Sequence, residues 1–354
     1  MKPRGGPGGA ALVEYGIQDH QQVQINRREI HQMNIAHQQS LLVCMLCRFY
    51  SRNRPVFRRK GVVMRLLVTG ARGGVGGCIV DRLRDTGVAV RATCRHPAAQ
   101  RWPWAETVAG DLDQPHTLRP ALDGVDAVFL YSFAPPETLP GLAAEMRAAG
   151  VRKVVVLSTI DTTRNEPFVE YNKQRHLAVE NAMHDGGFTT VCLRPGAFAR
   201  NAIRFWANQI RSEERVRLPF PQSQQAPIAD EDIATVAVHA LTSQQLDGRK
   251  IVLTGPHSLT MREQVEIISQ AIGKTIDVIE IPDTEARVLY GRILPPEYLE
   301  LLMGQWAFEV TEPAVVTDAV ERITGRPATS YVEWATSHSD AFTENSPAAV
   351  RTDT

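Results

Sequence analysis

The chain has no excess of charge of either sign. Its 354 residues include 39 Lys and Arg and 39 Asp and Glu, so the formal net charge at pH 7 is zero. Nucleic-acid and anionic-membrane binding usually need a basic excess, so no such partner is expected. Long apolar runs are missing too. The longest candidate, Leu41 to Cys47, is far shorter than the ~20 residues needed to span a bilayer and starts too late for a normal signal peptide.

Cysteine is scarce. The five cysteines are spread thinly, which excludes a disulfide framework and makes a reducing cytoplasm the expected compartment. Cys44 and Cys47 form one CxxC without a second pair, so no metal site is predicted. The remaining composition, 43% hydrophobic and 22% charged, is ordinary for a globular protein with a substantial core, in one large domain or two smaller ones.

Residues 1–63 differ from the rest of the chain. They run from a Gly/Pro cluster through a Gln/His/Asn-rich stretch into a basic segment from Arg48 to Lys60. Such a segment buries too little apolar area to offset its ordering entropy. We expect either a disordered extension or a natural chain start at Met64. An arm that binds acidic partners is a more specific alternative. Residues 343–354 are expected to form a flexible tail.

The stretch from Met64 to Gly87 organises the chain. Arg65 to Thr69 is a short apolar run, which is typical of a strand buried on both faces. An apolar stripe at every fourth residue then predicts a helix packed on a sheet. Between strand and helix stand glycines at GxxGxxG spacing: Gly70, Gly73 and Gly76. Strand, glycine turn and helix in this order predict a site for a dinucleotide pyrophosphate, held by the helix start.

Alternating strands and helices continue from there, which predicts a doubly wound parallel sheet, the Rossmann fold of the α/β class. Further strands are predicted at 88–94, 107–109, 127–131, 153–158 and 189–193, and helices at 118–122, 139–149 and 168–183. The second half is predicted to be smaller, mixed and mostly helical, with helices at 198–210, 230–241 and 261–272, strands at 250–253 and 275–281, a loop at 218–227 and a helical tail to 342. We therefore expect a nucleotide-binding domain over 64–200 and a cover and substrate subdomain over 201–342.

Two arginines favour NADP over NAD. Arg95 ends the second predicted strand, where an NAD enzyme normally holds an acidic residue for the ribose 2′-hydroxyl, and Arg72 lies in the glycine turn. Guanidinium groups there suit a 2′-phosphate. Asp111, after the third strand, is placed to accept from the adenine amino group, or else to cap the next turn. NAD stays possible.

Polar and aromatic residues end the fourth and fifth predicted strands: Tyr131, Ser132 and Phe133, then Ser158 and Thr159. These ends face the nicotinamide side of the crevice in this architecture. Their hydroxyls either hold the nicotinamide ribose or a substrate carbonyl, or satisfy loose backbone groups at the strand ends.

From Met64 to about Phe342 the sequence resembles the NmrA-like group of atypical short-chain dehydrogenases/reductases. The resemblance rests on LLVTGARGGVGG, AGVRKVVVLST, HLAVENAMHDGGFTTVCLRPGAFARN and LTGPHSLTMREQVEIISQAIG. It implies NAD(P) binding by residues of the glycine turn, the strand ends, the long helix and the loop after the sixth strand: Gly70, Arg72, Gly73, Gly74, Val75, Gly76, Arg95, Asp111, Leu112, Tyr131, Ser132, Phe133, Ser158, Thr159, His176, Pro195, Gly196 and Phe198.

The sequence departs from the wider superfamily at its usual catalytic pair, a tyrosine and a lysine four residues later on one helix face. Asn172 stands at the tyrosine position and His176 at the lysine position. Tyr171 is one residue off, about 100° round an ideal helix, and Lys173 is displaced likewise. His176, Tyr171 and Ser158 remain the catalytic candidates. His176 is expected to position the cofactor ribose or assist proton delivery, or else to be a packed helix histidine.

These features predict an NADPH-dependent reductase of a small planar acceptor such as a quinone, azo compound or imine, which takes hydride with little help from a protein acid. Phe133, Phe198, Phe205 and Trp206 offer aromatic surface for it, although core packing explains them as well. The alternative is a non-catalytic NADP(H)-sensing regulator of the NmrA type. A sugar-nucleotide or isoflavonoid-type reductase fits less well. A homodimer is possible.

Overall fold

The computed structural model describes residues 63–95 and 101–343. The predictions for residues 1–62, with Cys44 and Cys47, and for the tail beyond 343 lie outside the described residues. Within the two described ranges, no helix combines the length and the apolar character that crossing a bilayer requires.

Seven parallel strands form the central sheet: β1 Arg65–Val68, β2 Ala89–Cys94, β3 Glu106–Ala109, β4 Ala127–Leu130, β5 Lys153–Leu157, β6 Thr189–Pro195 and β9 Lys250–Leu253. They lie in the order β3-β2-β1-β4-β5-β6-β9. The chain winds outward from β1 in one direction and then, from β4, in the other, so the order reverses between β1 and β4. In such sheets ligands bind beyond the carboxyl ends of the strands at this reversal. The predicted doubly wound Rossmann fold is confirmed.

Both faces of the sheet are buried, which explains the continuous apolar strands. Leu66 and Val68 of β1 face one core, shared with helices α1 (Gly74–Leu83) and α6 (Asp230–Thr242). Leu67 between them faces the opposite core, under α3 (Leu139–Ala148) and α4 (Glu170–Asp185). Alternate side chains of one strand thus enter two cores, as the two-residue repeat of a strand requires. The short helix α2 spans Arg119–Leu122.

A third apolar core lies in the second half of the chain. Its elements are α5 Asn201–Glu213, β7 Arg215–Leu218, β8 Gln224–Gln225, β10 Leu259–Thr260, α7 Met261–Ile272, β11 Asp277–Glu280, α8 Asp283–Tyr290, α9 Pro296–Phe308, α10 Ala319–Thr324, α11 Tyr331–Ser337 and α12 Asp340–Thr343. Strand β7 pairs with β11 in parallel, and β8 pairs with β10 antiparallel. The domain boundary at residue 200 stays a prediction, but β9 and α6 beyond it belong to the main sheet and its cover.

Three local features differ from the sequence-based expectation. Strand β7 was not predicted: Glu214 takes a left-handed conformation with φ 51°, ends α5 and lets the chain turn at once into the strand. The expected loop at 218–227 contains the short strand β8. The long helix expected from residue 168 begins as a 3-10 turn at Pro167–Val169, and α4 follows it.

Candidate cofactor and active site

The glycine turn joins β1 to α1 and leads directly into the start of that helix. The backbone N–H of Gly73 donates to the Gly70 carbonyl at 3.0 Å, which closes the turn. A Cβ at Gly76 would lie 2.3 Å from the same carbonyl oxygen, so only glycine permits this approach. Gly73 caps α1 without a side-chain hydrogen bond, and the first turn carries no acidic residue. The helix start therefore presents N–H groups and a positive dipole end, which fit a diphosphate.

Tyr131 lies directly over this turn. Its ring is 3.2 Å from the position that a Cβ on Gly70 would take. The Tyr131 backbone N–H donates to the Thr69 hydroxyl at 2.9 Å, and that hydroxyl donates to the Phe129 carbonyl at 3.0 Å. The carboxyl ends of β1 and β4 are thus fastened together at the point where the strand order reverses.

An ion pair from the second half of the chain closes the other side of the turn. Arg200 Nε lies 2.7 Å from Asp230 Oδ2, and a Cβ on Gly74 would lie 1.9 Å from the same oxygen. Asp230 is 5% exposed, and its Oδ1 has no hydrogen-bond partner among the described residues. Burial raises the pKa of this carboxyl to about 6, against the opposing effect of Arg200.

Neither Arg200 nor Asp230 was predicted as a site residue. Asp230 appeared in the sequence only as a helix start, and Arg200 only as part of the family motif GAFARN. The backbone shows why they meet. Residues 196–199 are tied to the segment before α6 by hydrogen bonds from the Ala199 N–H to the Ile228 carbonyl and from the Ile228 N–H to the Ala197 carbonyl, each 2.9 Å. The predicted cover residues Pro195, Gly196 and Phe198 lie at the start of this tied loop.

The residues predicted for the adenosine end lie on neighbouring strands. Arg72 is exposed in the glycine turn, and Arg95 is exposed at the end of β2, next to β1. Asp111 follows β3, and its Oδ1 accepts from the Asp113 N–H at 3.1 Å. Asp111 therefore does cap the next turn, as one of the two sequence interpretations had it. Leu112 is half-buried beside it, packed on the core under α3.

The strand-end hydroxyls are occupied within the protein. Ser158 donates to Glu180 Oε1 at 2.6 Å, and both residues are buried. Arg194 binds the same carboxylate through two hydrogen bonds, 2.9 Å and 2.6 Å. Burial raises the pKa of Glu180, but the hydrogen bonds from Arg194 and Ser158 outweigh it and hold that pKa below its usual range. The Ser132 hydroxyl accepts from the Ala134 N–H at 3.1 Å.

This arrangement speaks against Ser158 as a proton donor, because its hydroxyl proton is held by a buried carboxylate. Thr159 likewise accepts from the Asp161 N–H, at 3.3 Å, and caps the 3-10 turn Ile160–Thr163. The hydroxyls of Ser132, Ser158 and Thr159 therefore satisfy groups within the protein, which was the alternative interpretation of the strand ends.

At the position of the usual catalytic tyrosine, α4 carries a buried polar pair. Asn172 Nδ2 donates to Asp161 Oδ2 at 2.6 Å, and burial raises the pKa of that carboxyl. His176, one turn along, is 6% exposed and meets the Phe133 ring edge-on at 5.5 Å between centroids. Burial lowers the pKa of His176 to about 4, so the imidazole is neutral at pH 7. Tyr171 is 46% exposed at the rim, where its hydroxyl accepts from Arg175 at 2.9 Å.

Tyr298 completes the pocket, and sequence reasoning missed it. This residue of α9 lies 6.3 Å from Phe133 between ring centroids and donates to Asn172 Oδ1 at 3.4 Å. Tyr131 contacts Phe133 on another edge, at 5.0 Å. Three aromatic rings and His176 thus line the carboxyl ends of β4 and β5. Phe205 and Trp206, in contrast, belong to the buried core of the second half, which was the alternative considered for them.

A glycine turn at the strand reversal of a Rossmann sheet is the arrangement typical of proteins that bind a nicotinamide dinucleotide. A family model described as NAD(P)H-binding matches residues 70–244. A (4-alkanoyl-5-oxo-2,5-dihydrofuran-3-yl)methyl phosphate reductase from Streptomyces griseus is 35% identical over 282 residues, which cover 78% of this chain and 99% of the relative. An NAD(P)H azoreductase from Xenophilus azovorans is 30% identical over 291 residues, with 78% and 99% covered.

Solved structures agree on the fold. A quinone oxidoreductase from Escherichia coli in complex with NADPH superposes with a TM-score of 0.64 at 19% identity, covering 77% of this chain and 99% of that one. The regulator NmrA superposes with a TM-score of 0.62 at 16% identity, covering 78% and 95%. The chain belongs to the NAD(P)H-binding family that includes the Streptomyces and Xenophilus reductases, and it shares the fold of NmrA.

Proposed function

We propose that the protein is an NADPH-dependent reductase that transfers hydride to a small planar acceptor of the quinone, azo or imine type. The observation that carries the proposal is the state of α4. Asn172 replaces the tyrosine and is bound to Asp161, and a neutral His176 replaces the lysine that would lower a phenol pKa. Acceptors whose reduced form is a stabilised anion, or which start as cations, need no strong protein acid.

Different residues around the crevice would bind different parts of the dinucleotide and the acceptor. The start of α1, with Gly73 to Gly76, would hold the diphosphate, and Arg200 would approach it from the far side. NADPH, when bound, supplies the hydride. The imidazole of His176 can form a hydrogen bond with the ribose. Because it is neutral near pH 7, it does not serve as an imidazolium proton donor. Phe133 presents its ring to a planar acceptor.

Preference for NADPH over NADH is part of the proposal. Arg72 and Arg95, exposed on the adjacent ends of β1 and β2, lie on the side of the turn where the adenosine ribose is expected. A 2′-phosphate there would gain charge-assisted hydrogen bonds.

We place the activity in the cytoplasm, on free small molecules.

Binding and turnover can be measured on the same protein. Calorimetry with NADPH and NADH is expected to show tighter NADPH binding, weakened by Arg95→Ala more for NADPH than for NADH. Oxidation of NADPH is then followed across a panel of quinones, azo dyes and imines. Tight NADPH binding without turnover of any acceptor would contradict the reductase proposal.

That outcome would support the second candidate, a sensor of the nicotinamide pool. The same observation favours it, because the Asn172–Asp161 pair occupies the usual catalytic position without offering a proton donor. The named relatives at 30% identity and above are reductases, which is why we place the enzyme first. Capture of partners that changes with the NADPH/NADP⁺ ratio would identify the sensor.

A further inference from the structure

Two arginines from different helices converge on the acceptor side of the crevice. Arg175 lies on α4, with its guanidinium carbon 5.3 Å from the centre of the Phe133 ring. Arg204 lies on α5, one turn after Arg200, and its Nη2 donates to the Ile293 carbonyl at 3.0 Å, close before the helix that carries Tyr298. Arg200 and Arg204 are four residues apart and so share one face of α5.

Both side chains border the aromatic residues at the strand ends. Arg175 lies over the Phe133 ring, and Arg204 holds the segment that leads into α9, whose Tyr298 meets the same ring. Burial, the larger effect, raises the pKa of Tyr298 to about 12, and it also raises that of Tyr131. Arg175 and Arg204 each act in the opposite direction on both phenols. The contacts thus place Arg175 and Arg204 beside the Phe133–Tyr298 pair, one from α4 and one from α5.

Neither arginine is neutralised by an acid. Arg175 donates to the Tyr171 hydroxyl and to the Phe133 carbonyl, and Arg204 donates to a carbonyl, so no carboxylate of the described residues forms an ion pair with either. Asp161, whose charge also acts on Tyr298, accepts a hydrogen bond from Asn172. Two positive charges beside an aromatic pocket, with donors left over, match an anion on a flat molecule.

We propose that the acceptor reduced here carries an anionic group, a carboxylate, sulfonate or phosphate, which Arg175 and Arg204 bind while its planar part lies against Phe133. This inference rests on the proposed reductase function for its meaning, but the anion site itself is testable without turnover. It assigns Arg175 and Arg204 as determinants of substrate specificity.

Binding to the full chain saturated with NADP⁺ gives the first test. Calorimetry compares 2-naphthoate with 2-naphthamide, which have the same shape and differ in charge. We expect the carboxylate to bind at least about tenfold more tightly, which equals about 1.4 kcal/mol. Arg204→Gln and Arg175→Lys, each checked for folding by circular dichroism, should reduce that ratio. Arg84→Gln, which removes an exposed arginine beyond α1, should leave it intact.

Turnover gives the second test, with azobenzene-4-carboxylate and azobenzene-4-carboxamide as acceptors and the ratio of their kcat/KM as the readout. We expect the ratio to favour the carboxylate and to fall about tenfold in Arg204→Gln. Equal binding of both naphthalene probes, or a ratio that Arg204→Gln does not change, would overturn the anion site. Selective binding of the carboxylate without reduction of either azo compound would sustain the site and reject the reductase.

Discussion

The third glycine of the turn offers a sharp test because its neighbour is a natural control. In Gly76→Ala the new Cβ would lie 2.3 Å from the Gly70 carbonyl oxygen and 3.0 Å from the Ala71 Cα, both backbone atoms. In Gly77→Ala the nearest atom is the Ala71 carbonyl oxygen at 3.3 Å, which a small adjustment relieves. Both residues are buried in α1, so the two substitutions differ mainly in this contact.

The structure sets the size of the effect. Alanine in place of glycine within a helix gains about 1 kcal/mol, and this gain applies to both variants. Forcing an extra methyl group against fixed atoms costs about 1–3 kcal/mol, and this cost applies to Gly76→Ala alone. We therefore expect Gly77→Ala to equal or exceed the parent in free energy of unfolding. Gly76→Ala should fall about 1–3 kcal/mol below Gly77→Ala.

Nucleotide affinity should separate the variants further. The Gly70 carbonyl that must move accepts the hydrogen bond from Gly73, so its displacement shifts the N–H groups at the start of α1. We expect NADPH affinity to fall at least about tenfold in Gly76→Ala and little in Gly77→Ala. Urea unfolding and calorimetry measure the two quantities. Parental NADPH affinity in a folded Gly76→Ala protein would refute the assignment of this turn.

Three further outcomes follow from buried ionisable groups. Asp230 has a pKa of about 6 against an ordinary 3.8, so folding favours its protonated form. The free energy of unfolding should therefore decline by up to about 3 kcal/mol as the pH rises from 4 to 6. Urea unfolding of Asp230→Asn should lack this decline, and the same dependence on pH in that variant would contradict the burial of Asp230. His176 stays neutral above about pH 5, so His176→Asn should alter the size but not the shape of the kcat/KM profile between pH 5.5 and 8, whereas loss of an inflection near 6.5 would show that it titrates. Glu180→Leu leaves Arg194 buried without its partner, which should cost about 3–5 kcal/mol in thermal or urea unfolding; a loss under about 1 kcal/mol would mean that solvent reaches the guanidinium group.

The sheet and the glycine turn could be predicted because their signals are local. Apolar strands, short links and the spacing of Gly70, Gly73 and Gly76 each occupy a few consecutive residues, and the strand order follows from the alternation of strands and helices. The substitution of the catalytic pair by Asn172 and His176 was also visible, since it depends on a spacing of four within one helix.

The side chains that complete the crevice could not be predicted in the same way. Arg204 and Tyr298 lie in the part of the chain with the third core, and Arg200 directly precedes α5 of that part. Asp230 begins α6, which packs on the main sheet. These side chains come together only through the way the third core packs over the sheet. Single-sequence patterns carry no information on such long-range packing. Ser158 illustrates the same limit. Its partner Glu180 lies on another element, and no local pattern in the sequence indicates that the two side chains meet.

The backbone tie between residues 197–199 and Ile228 has a consequence for nucleotide exchange. It makes two segments that are far apart in the sequence behave as one piece, and Arg200 and Asp230 lie at its two ends. Because α6 shares its core with α1, this piece is fixed relative to the glycine turn, and the ion pair stands there before a dinucleotide arrives. A dinucleotide that enters or leaves the turn therefore has to pass an ion pair that is already formed.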